Sequence, residues 1–309
     1  MHSTHRVLPT GRQYEIAAGG ATATVVEVGG GLRSYSVDGR ELLDGYAADE
    51  MASSARGQPL IPWPNRVRDG RYRWDGAEHQ LPLNEPARGN AIHGFSRDHS
   101  WVCITHTPTG VELGWTLHPR PGYPFTLVVT ISYRISAEGL SVATTARNAG
   151  TDALPYASGQ HPYLSVGGGL IDQAVLEAPG AVYLPTDERG TPTGRQPVSG
   201  TAYDFRQPRA LEDTVIDHAF TDLARGANGR AWVRLRTPDG PGVALWADES
   251  YPYLQLFTGD TLGADRRRRG LGVEPMTAPP NALQTGTGVV RIEPGDSVSA
   301  HWGIQPLPG

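Results

Sequence analysis

Strict alternation of apolar and polar residues is the dominant pattern along the chain, and it predicts β-strands. Within residues 127–135 every odd position is large and apolar, so one face of this strand is expected to be buried. Ala137, Glu138 and Gly139 then form a turn, and the alternation resumes over residues 140–146. These residues therefore predict two strands joined as a hairpin.

Similar segments occur elsewhere, and turns rich in glycine and proline separate them. The dipeptide Asp75-Gly76 follows one such segment, residues 238–242 follow a second, and residues 293–296 lie between the last two. The segments are residues 71–74, 233–235, 243–246, 289–292 and 298–302.

Helical periodicity is almost absent from the sequence. Only residues 44–53 have room for a short helix, and neither an internal repeat nor a linker divides the chain. A length of 309 residues suits two average domains or one large all-β domain. We therefore predict one all-β domain over residues 1–309, built as an antiparallel sandwich or barrel.

The charge balance argues against several classes of partner. With 27 basic and 32 acidic residues the formal net charge is −5, and no basic stripe indicates a nucleic acid or an anionic membrane. The longest basic run, residues 266–269, is interpreted as a solvated loop. Residues 1–6 lack the apolar run of a secretory signal, and no segment has the roughly 20 apolar residues of a membrane span. A cytoplasmic protein is the expectation.

Two residue types restrict the chemistry. Cys103 is the single cysteine, which excludes an intramolecular disulfide and any multi-cysteine zinc or iron–sulfur site. Lysine is absent, and all 27 basic residues are arginine. Schiff-base chemistry, pyridoxal phosphate attachment and the phosphate-binding lysine of nucleotide loops are therefore excluded.

Three glycine-containing segments each carry one side chain that exchanges protons. His93 is followed by glycine, His161 by proline and tyrosine, and Glu274 by proline. An imidazole titrates near neutrality, and burial between apolar neighbours raises the pKa of a carboxyl group. The three residues supply an acid and a base without a covalent nucleophile, which suits a reaction in which only protons move.

Together with three further motifs, these segments resemble the aldose 1-epimerase (galactose mutarotase) family. The resemblance covers about Gly57 to Glu274 and follows the family's order, and residues 83–94 are most similar to a bacterial mutarotase-like branch. It implies a large, many-stranded galactose mutarotase-like β-sandwich whose site lies on one curved sheet. The further motifs are Pro-Trp-Pro-Asn65-Arg66, Asp217-His-Ala-Phe and Leu-Gln255-Leu-Phe-Thr-Gly.

The resemblance also implies a reaction and a set of roles. Glu274 is the expected base at the anomeric hydroxyl of an aldose, and His161 is the expected acid at the ring oxygen. The implied enzyme interconverts the anomers of a free aldohexose without metal or cofactor, binds only this monosaccharide, and is a monomer or homodimer. The sugar-binding residues that the resemblance implies are Asn65, Arg66, His93, Asp217 and Gln255.

The residues taken one at a time leave other interpretations open. Glu274 alone is also consistent with a strand-end carboxylate paired to an arginine, and His161 with a core histidine bonded to a backbone carbonyl. Trp63 and Tyr163 are candidate stacking surfaces for a sugar, although aromatic residues among prolines more often serve packing. Gly94 is expected to let the backbone approach a ligand closely.

Three alternative functions stay open at this stage. A hexose-6-phosphate mutarotase also resembles residues 93–97, but needs an arginine cluster for the phosphate; Arg71 and Arg73 look instead like the exposed face of a hairpin. A non-catalytic sugar-binding protein needs no acid and base. A glycosidase using Asp217 and Glu274, with carboxylates about 5 to 9.5 Å apart, leaves the histidines without a task. The arginines available to a phosphate are Arg66, Arg68, Arg88 and Arg97.

Overall fold

The computed structural model describes residues 7–238 and 240–309, and β-strands dominate this part of the chain. Residues 1–6, which bear on the secretory signal, and Asp239 of the predicted turn lie outside the described residues. No helix in the described part is long and apolar enough to cross a membrane. One short α-helix, α1 (Ala282–Thr285), is found there.

Residues 44–53, the one segment with room for a short helix, do not form one. The segment is irregular, with one turn and bend at residues 48–50, because tertiary partners bind its backbone groups. The Asp44 amide donates to the carbonyl of Tyr163 at 2.9 Å, and the Asp44 carbonyl accepts from Arg56 Nε at 2.8 Å. The Gly45 carbonyl accepts from Arg266 at 3.0 Å. Hydrogen bonds to distant segments therefore replace the backbone hydrogen bonds that a helix would make here.

The strands follow one another with short connections. The first half of the chain contributes β1 (Gln13–Ala18), β2 (Ala21–Val26), β3 (Leu32–Val37), β4 (Arg40–Glu41), β5 (Pro59–Leu60), β6 (Arg66–Arg68), β7 (Arg71–Trp74), β8 (Ala77–Gln80), β9 (Asn90–Ile92), β10 (Val102–Thr107), β11 (Gly110–Leu117), β12 (Leu127–Ser136) and β13 (Gly139–Asn148). The second half contributes β14 (Leu154–Tyr156), β15 (Gly159–Gln160), β16 (Tyr163–Leu164), β17 (Val175–Glu177), β18 (Gly180–Leu184), β19 (Gln196–Pro197), β20 (Arg209–Ala210), β21 (Asp217–Leu223), β22 (Ala231–Arg236), β23 (Gly242–Ala247), β24 (Tyr253–Phe257), β25 (Leu271–Met276), β26 (Val290–Ile292) and β27 (Ser297–Leu307).

Two large antiparallel sheets organise the described residues. One has nine strands in the order β10-β11-β12-β13-β27-β23-β22-β17-β20. The other has eight, in the order β19-β18-β21-β24-β25-β15-β5, with β16 also pairing with β25. Apolar side chains of both sheets belong to one buried cluster, which includes Ile131 and Leu245 from the first sheet and Leu254 and Val273 from the second. The all-β class predicted from the sequence is confirmed, and so is the sandwich that the family resemblance implies.

The predicted hairpins form where alternation is clearest. Strands β12 and β13 pair with Ile135 opposite Leu140 and Tyr133 opposite Val142, and these four side chains are buried. Strands β7 and β8 pair across Asp75-Gly76, and β22 pairs with β23. The last two predicted strands also form but do not pair with each other: β26 pairs with β14, and β27 lies between β13 and β23.

A smaller ribbon holds two segments of the candidate site together. Strand β6 pairs with β9, and Arg66 stands opposite Ile92. Residues 65 and 93 adjoin this ribbon at one end, so Asn65 and His93 meet although 28 residues separate them. The neighbouring Gly94 has a φ of 64°, and a side-chain carbon there would lie 2.0 Å from the carbonyl oxygen of Ile61. Glycine is thus required for contact with protein backbone, and the expected approach to a ligand is not the reason for it.

Candidate functional site

Three polar side chains share one face of the eight-stranded sheet. Gln255 on β24 stands directly opposite Glu274 on β25, and Asp217 begins the adjoining strand β21. The alternate residues Leu256 and Val273 point into the core, as the two-residue period of a strand requires. Gln255 Nε2 donates a 2.7 Å hydrogen bond to Asp217 Oδ1. The three side chains therefore form one polar row across neighbouring strands.

His161 lies in the segment between β15 and β16, and its side chain is next to this polar row. Its backbone is fixed on both sides, since its amide donates to Gln58 at 3.2 Å and its carbonyl accepts from Gly57 at 2.9 Å. Its Nε2 atom lies 3.2 Å from Glu274 Oε1. Both residues are buried, at 5% and 2% exposure. The predicted acid and the predicted base are thus in direct contact within one pocket.

Tyr163 and Arg56 hold the His161 ring in place by stacking and by a cation–π contact. The Tyr163 ring stacks on His161 with centroids 5.0 Å apart and an interplanar angle of 25°. The Arg56 guanidinium lies 4.2 Å from the centroid of Tyr163 and pairs with Asp44 at 3.0 Å. A cation over an aromatic face is attractive, so Arg56 holds Tyr163 against the imidazole. Tyr163 therefore lines the pocket with its ring stacked on His161, and its role as a stacking surface for a sugar stays a prediction.

His93 is fixed by a reciprocal pair of hydrogen bonds with Asn65. The His93 amide donates to the Asn65 carbonyl at 3.0 Å, and the Asn65 amide donates to His93 Nδ1 at 3.1 Å. Burial lowers the pKa of His93 well below its ordinary value of 6.5, so the ring is neutral near pH 7. Because Nδ1 accepts a hydrogen bond, the single ring proton is on Nε2. His93 consequently offers the site a donor.

Arg66 is bound by an acidic partner. Its Nε and Nη2 atoms donate to the two carboxylate oxygens of Glu85 at 2.9 and 3.0 Å. Asn90 Nδ2 donates to the same carboxylate at 2.7 Å. This bidentate geometry fixes the guanidinium plane. Glu85 was not predicted as a site residue, although it lies in the polar turn before His93.

The acid–base pair and the polar side chains around it line one pocket of about 410 Å³, a volume suited to a small ligand, whereas the supporting residues Asp44, Arg56 and Asn90 do not line it. Several of its buried polar atoms have no hydrogen-bond partner within residues 7–238 and 240–309, namely Gln255 Oε1, Glu274 Oε2 and His161 Nδ1. Unpaired buried polar groups are costly, and these three atoms are available to bond a ligand in the pocket. The predicted residues that line the pocket are Asn65, Arg66, His93, His161, Asp217, Gln255 and Glu274.

Burial sets the protonation of the acid–base pair. It raises the pKa of Glu274 well above its ordinary value, and the nearby charge of Asp217 adds to this rise while Arg66 opposes it. Burial also lowers the pKa of His161 to about 3, and the charges of Arg97 and Arg56 contribute to the decrease. Over a wide pH range the two groups therefore hold one exchangeable proton between them, either on the carboxyl group or on the imidazole.

The depressed pKa of His161 predicts a pH-dependent stability difference between the wild type and His161→Gln. Below pH 6.5 the unfolded chain binds a proton at His161 that the native protein does not bind until about pH 3. The wild type therefore loses about 1.4 kcal/mol relative to the variant for each pH unit in this window, and nothing above it. Urea unfolding at pH 7.5, 5.5 and 4.5 measures this difference. A constant difference at all three pH values contradicts the prediction.

Several sequence-based interpretations change in the structure. Trp63 is buried, packs edge-on against Phe95 with centroids 4.8 Å apart, and is not a stacking surface of the pocket, so it serves packing. Arg68 forms an ion pair with Asp187 and does not line the pocket. Arg71 and Arg73 are exposed on β7, as predicted. The sequence does not indicate that Arg56 supports the site, because this role depends on stacking against Tyr163, 107 positions away.

The fold and the pocket together define a galactose mutarotase-like β-sandwich with a polar site on one sheet. The chain belongs to the aldose 1-epimerase family, whose model matches residues 12–305. The family is one of isomerases that act on sugars by a mutarotase-type reaction. The match extends on both sides of the region in which the motifs were found.

Individual relatives agree with this assignment. The chain is 36% identical to the uncharacterized protein YihR of Escherichia coli (strain K12) over 288 residues, which is 93% of this chain and 90% of that protein. It is 27% identical to the galactose mutarotase of Homo sapiens over 280 residues, covering 85% of this chain and 79% of that one. The crystal structure of a GalM/aldose epimerase homologue from C. elegans superposes with a TM-score of 0.86 at 19% identity, covering 96% of this chain and 99% of that chain. At that identity the structural similarity establishes the fold alone.

Proposed function

We propose that the protein is an aldose 1-epimerase that interconverts the α- and β-anomers of a free aldohexose through an open-chain aldehyde. The observation that carries this proposal is the contact of 3.2 Å between His161 Nε2 and Glu274 Oε1, in a pocket lined by hydroxyl-binding side chains. In a cyclic aldose, the anomeric oxygen and the ring oxygen are bonded to the same carbon. A base and an acid in mutual contact therefore match two oxygens that are close neighbours.

The reaction uses the single proton of the pair. Glu274, as the carboxylate, takes the proton of the anomeric hydroxyl while His161 gives its proton to the ring oxygen. The bond from C1 to the ring oxygen breaks, and C1 becomes an aldehyde. Rotation about the C1–C2 bond presents the other face of the aldehyde to the C5 hydroxyl. Ring closure then returns a proton to His161 and takes one from Glu274, so the enzyme ends in its starting state.

The other pocket residues suit binding and orientation of the sugar. His93 Nε2 supplies a donor beside His161, whose ring centroid lies 5.4 Å away. Gln255 Oε1 and the Asp217 carboxylate accept from hydroxyl groups, and Arg66 donates to them from a fixed plane. These contacts position a near-attack arrangement, in which the two transferred protons lie between fixed partners.

Anomer exchange measured on equilibrated sugars tests the proposal directly. Two-dimensional exchange NMR on a panel of free aldoses and their C6-substituted forms reports the α-to-β rate, and enzyme-free samples give the background. We expect acceleration that is proportional to enzyme concentration for at least one sugar. A folded protein that binds a sugar without accelerating exchange supports the non-catalytic alternative and contradicts the enzyme. Hydrolysis of a glycoside added to parallel samples supports the glycosidase.

A further inference from the structure

A second cavity lies next to the candidate site. It has a volume of about 500 Å³ and is lined by residues of β3 and β4, of the irregular segment after β4, and of two loops. Three stretches of the chain form a wall common to both cavities, because each lines the second cavity with one end and the pocket of the candidate site with the other. These stretches are residues 44–55, 163–169 and 261–269.

The arginine run 266–269 contributes two side chains to the second cavity. The solvated loop predicted for this run is only partly correct, since Arg268 is buried in ion pairs and Arg266 pairs with Glu50 at 2.8 Å. Arg269 lines the cavity and is exposed, and it makes no side-chain hydrogen bond or ion pair within residues 7–238 and 240–309. Arg269 therefore remains available to a ligand.

Arg33 of β3 has an unoccupied guanidinium edge at the same cavity. Its Nη1 atom donates to the carbonyl of Tyr46 at 3.0 Å. Its Nε atom is buried without a partner, and its Nη2 atom makes no hydrogen bond in the described part of the chain. The corresponding edge of Arg66, formed by Nε and Nη2, donates to both carboxylate oxygens of Glu85. Arg33 thus carries an empty fork that matches the two oxygens of a carboxylate or phosphate.

The acids of the second cavity do not fill this fork. Asp44 and Glu50 are already paired with other arginines, at 3.0 and 2.8 Å. Glu41 also lines the cavity, but it forms no ion pair with any of the described residues. A buried guanidinium nitrogen without a partner is costly, and the cost is larger for a charged group than for a neutral one. The cavity therefore has two arginines, Arg33 and Arg269, that its own carboxylates leave unpaired.

We propose that this cavity is a second ligand site, which binds an anionic oxygen group, such as a phosphate or a carboxylate, between Arg33 and Arg269. Two guanidinium groups provide charge-assisted hydrogen bonds to such a group. The Tyr46 hydroxyl adds a donor at the same wall, since this residue is only 6% exposed and its hydroxyl has no partner in the described ranges. The binding itself does not depend on the proposed function.

The backbone beside Asp44 is held by the arginines of this cavity. Arg33 donates to the carbonyl of Tyr46, and Arg266 donates to the carbonyl of Gly45, both at 3.0 Å. The two carbonyls directly follow Asp44 in the chain. An anion bound between β3 and the loop 266–269 cross-links the two elements that carry these donors, so it fixes the position of Asp44.

Asp44 connects the second cavity to the proposed acid. Its side chain pairs with Arg56, which lies over Tyr163, and the Tyr163 ring stacks on His161. The Asp44 amide also donates to the Tyr163 carbonyl at 2.9 Å. An occupied cavity is therefore expected to hold His161 more firmly beside Glu274, and so to raise kcat with little change in KM. This effect on the rate rests on the proposed function.

Calorimetric titration of the full chain tests the binding. Inorganic phosphate, methyl phosphate and acetate are titrated in Tris chloride buffer, and their comparison separates a free phosphate, a phosphate ester and a carboxylate. We expect saturable binding of at least one of them with a Kd of about 1 mM or lower. Arg33→Gln and Arg269→Gln are each expected to weaken it by on the order of 10-fold, and Arg33→Lys to have an intermediate effect.

Arg267→Gln is the matched control for these variants. Arg267 is an exposed residue of the same arginine run and lines neither of the two cavities, so the affinity should stay at the wild-type value. Because Arg269 is exposed, Arg269→Gln is expected to fold even if a change at Arg33 disturbs β3. Absence of binding, or binding that a folded Arg269→Gln protein keeps at full strength, overturns the inference.

Exchange NMR on a free aldose, with and without the anion that binds best, tests the coupling to the candidate site. Enzyme-free samples with the same anion give the background rate. We expect saturating anion to raise kcat by on the order of 5-fold, and Arg269→Gln to shift this increase to higher anion concentration. Binding without any change in rate supports the ligand site and overturns its coupling to His161. If the enzyme accelerates no sugar, the proposed function and the coupling both fail, whereas the titration still decides whether the cavity binds an anion.

Discussion

Glu274→Gln is expected to lower kcat for anomer exchange by on the order of 10² to 10⁴-fold, the usual contribution of one general base. An amide has the shape of the carboxyl group and still contacts His161, but it cannot take a proton from the anomeric hydroxyl. Substrate affinity is expected to change much less, because the donors and acceptors that hold the sugar are on other residues. Exchange NMR gives the rate, and line broadening of the bound sugar gives the affinity.

Glu274→Gln is also expected to change stability, in a direction that distinguishes a loss of catalysis from a loss of folding. Glu274 has a raised pKa in the native state, so above its ordinary pKa of 4.5 the unfolded chain releases a proton that the native protein keeps. Stability is lost as pH rises through this window, and glutamine removes that loss. We therefore expect Glu274→Gln to be more stable relative to the wild type at pH 8 than at pH 4.5, which is a stability–activity trade-off.

Glu78→Gln is the matched control for this variant. Glu78 is exposed on β8, with a side-chain exposure of 80%, and its contact with Arg73 is 4.0 Å long. The change from carboxylate to amide is identical, but it occurs outside the pocket, so rate and stability should stay at wild-type values. Unchanged exchange by a folded Glu274→Gln protein is incompatible with the proposed base.

The sequence predicts the strands well because alternation is a local property. The hairpin β12–β13 was recognisable from residues 127–146 alone, since each apolar position on one strand meets an apolar position on the next. Pairing between distant strands is not local. Strand β27 lies between β13 and β23, which are remote in sequence, and its neighbour β26 pairs elsewhere. No turn near residues 293–296 encodes that choice; packing of the complete sheets decides it.

The residues to which we assign the proposed chemistry were predictable for a different reason. His93, His161 and Glu274 were found through short motifs in a fixed order, and all three line one pocket. Their partners were missed because partnership is a tertiary property. Glu85 binds Arg66 from 19 positions away, and Arg56 contacts the ring of Tyr163, which is far from it in the sequence. The sequence shows which side chains are present, but whether an arginine is paired appears only in three dimensions.

His161→Gln is expected to reduce kcat as strongly as the change at Glu274, by on the order of 10² to 10⁴-fold. Glutamine places an amide where Nε2 stood, but it cannot give a proton to the ring oxygen and recover it. Because the two groups share one proton across 3.2 Å, they act as a unit. The double variant is therefore expected to be little slower than either single variant, far from the product of the two effects.

The pH profile of exchange distinguishes this role from a structural one. Activity requires one proton on the pair. The wild type is therefore expected to lose activity as pH falls towards about 3, where the pair binds a second proton and Glu274 can no longer be the base, and again as pH rises through the raised pKa of Glu274. In His161→Gln the remaining base is Glu274, so the residual rate should rise with pH through the raised pKa of Glu274 and should no longer fall at higher pH. His118→Gln, an exposed histidine after β11, is the matched control and should keep the wild-type profile. Multiplicative losses in the double variant, with the wild-type decline at high pH retained in His161→Gln, mean that the two side chains work independently and that the shared-proton mechanism is wrong.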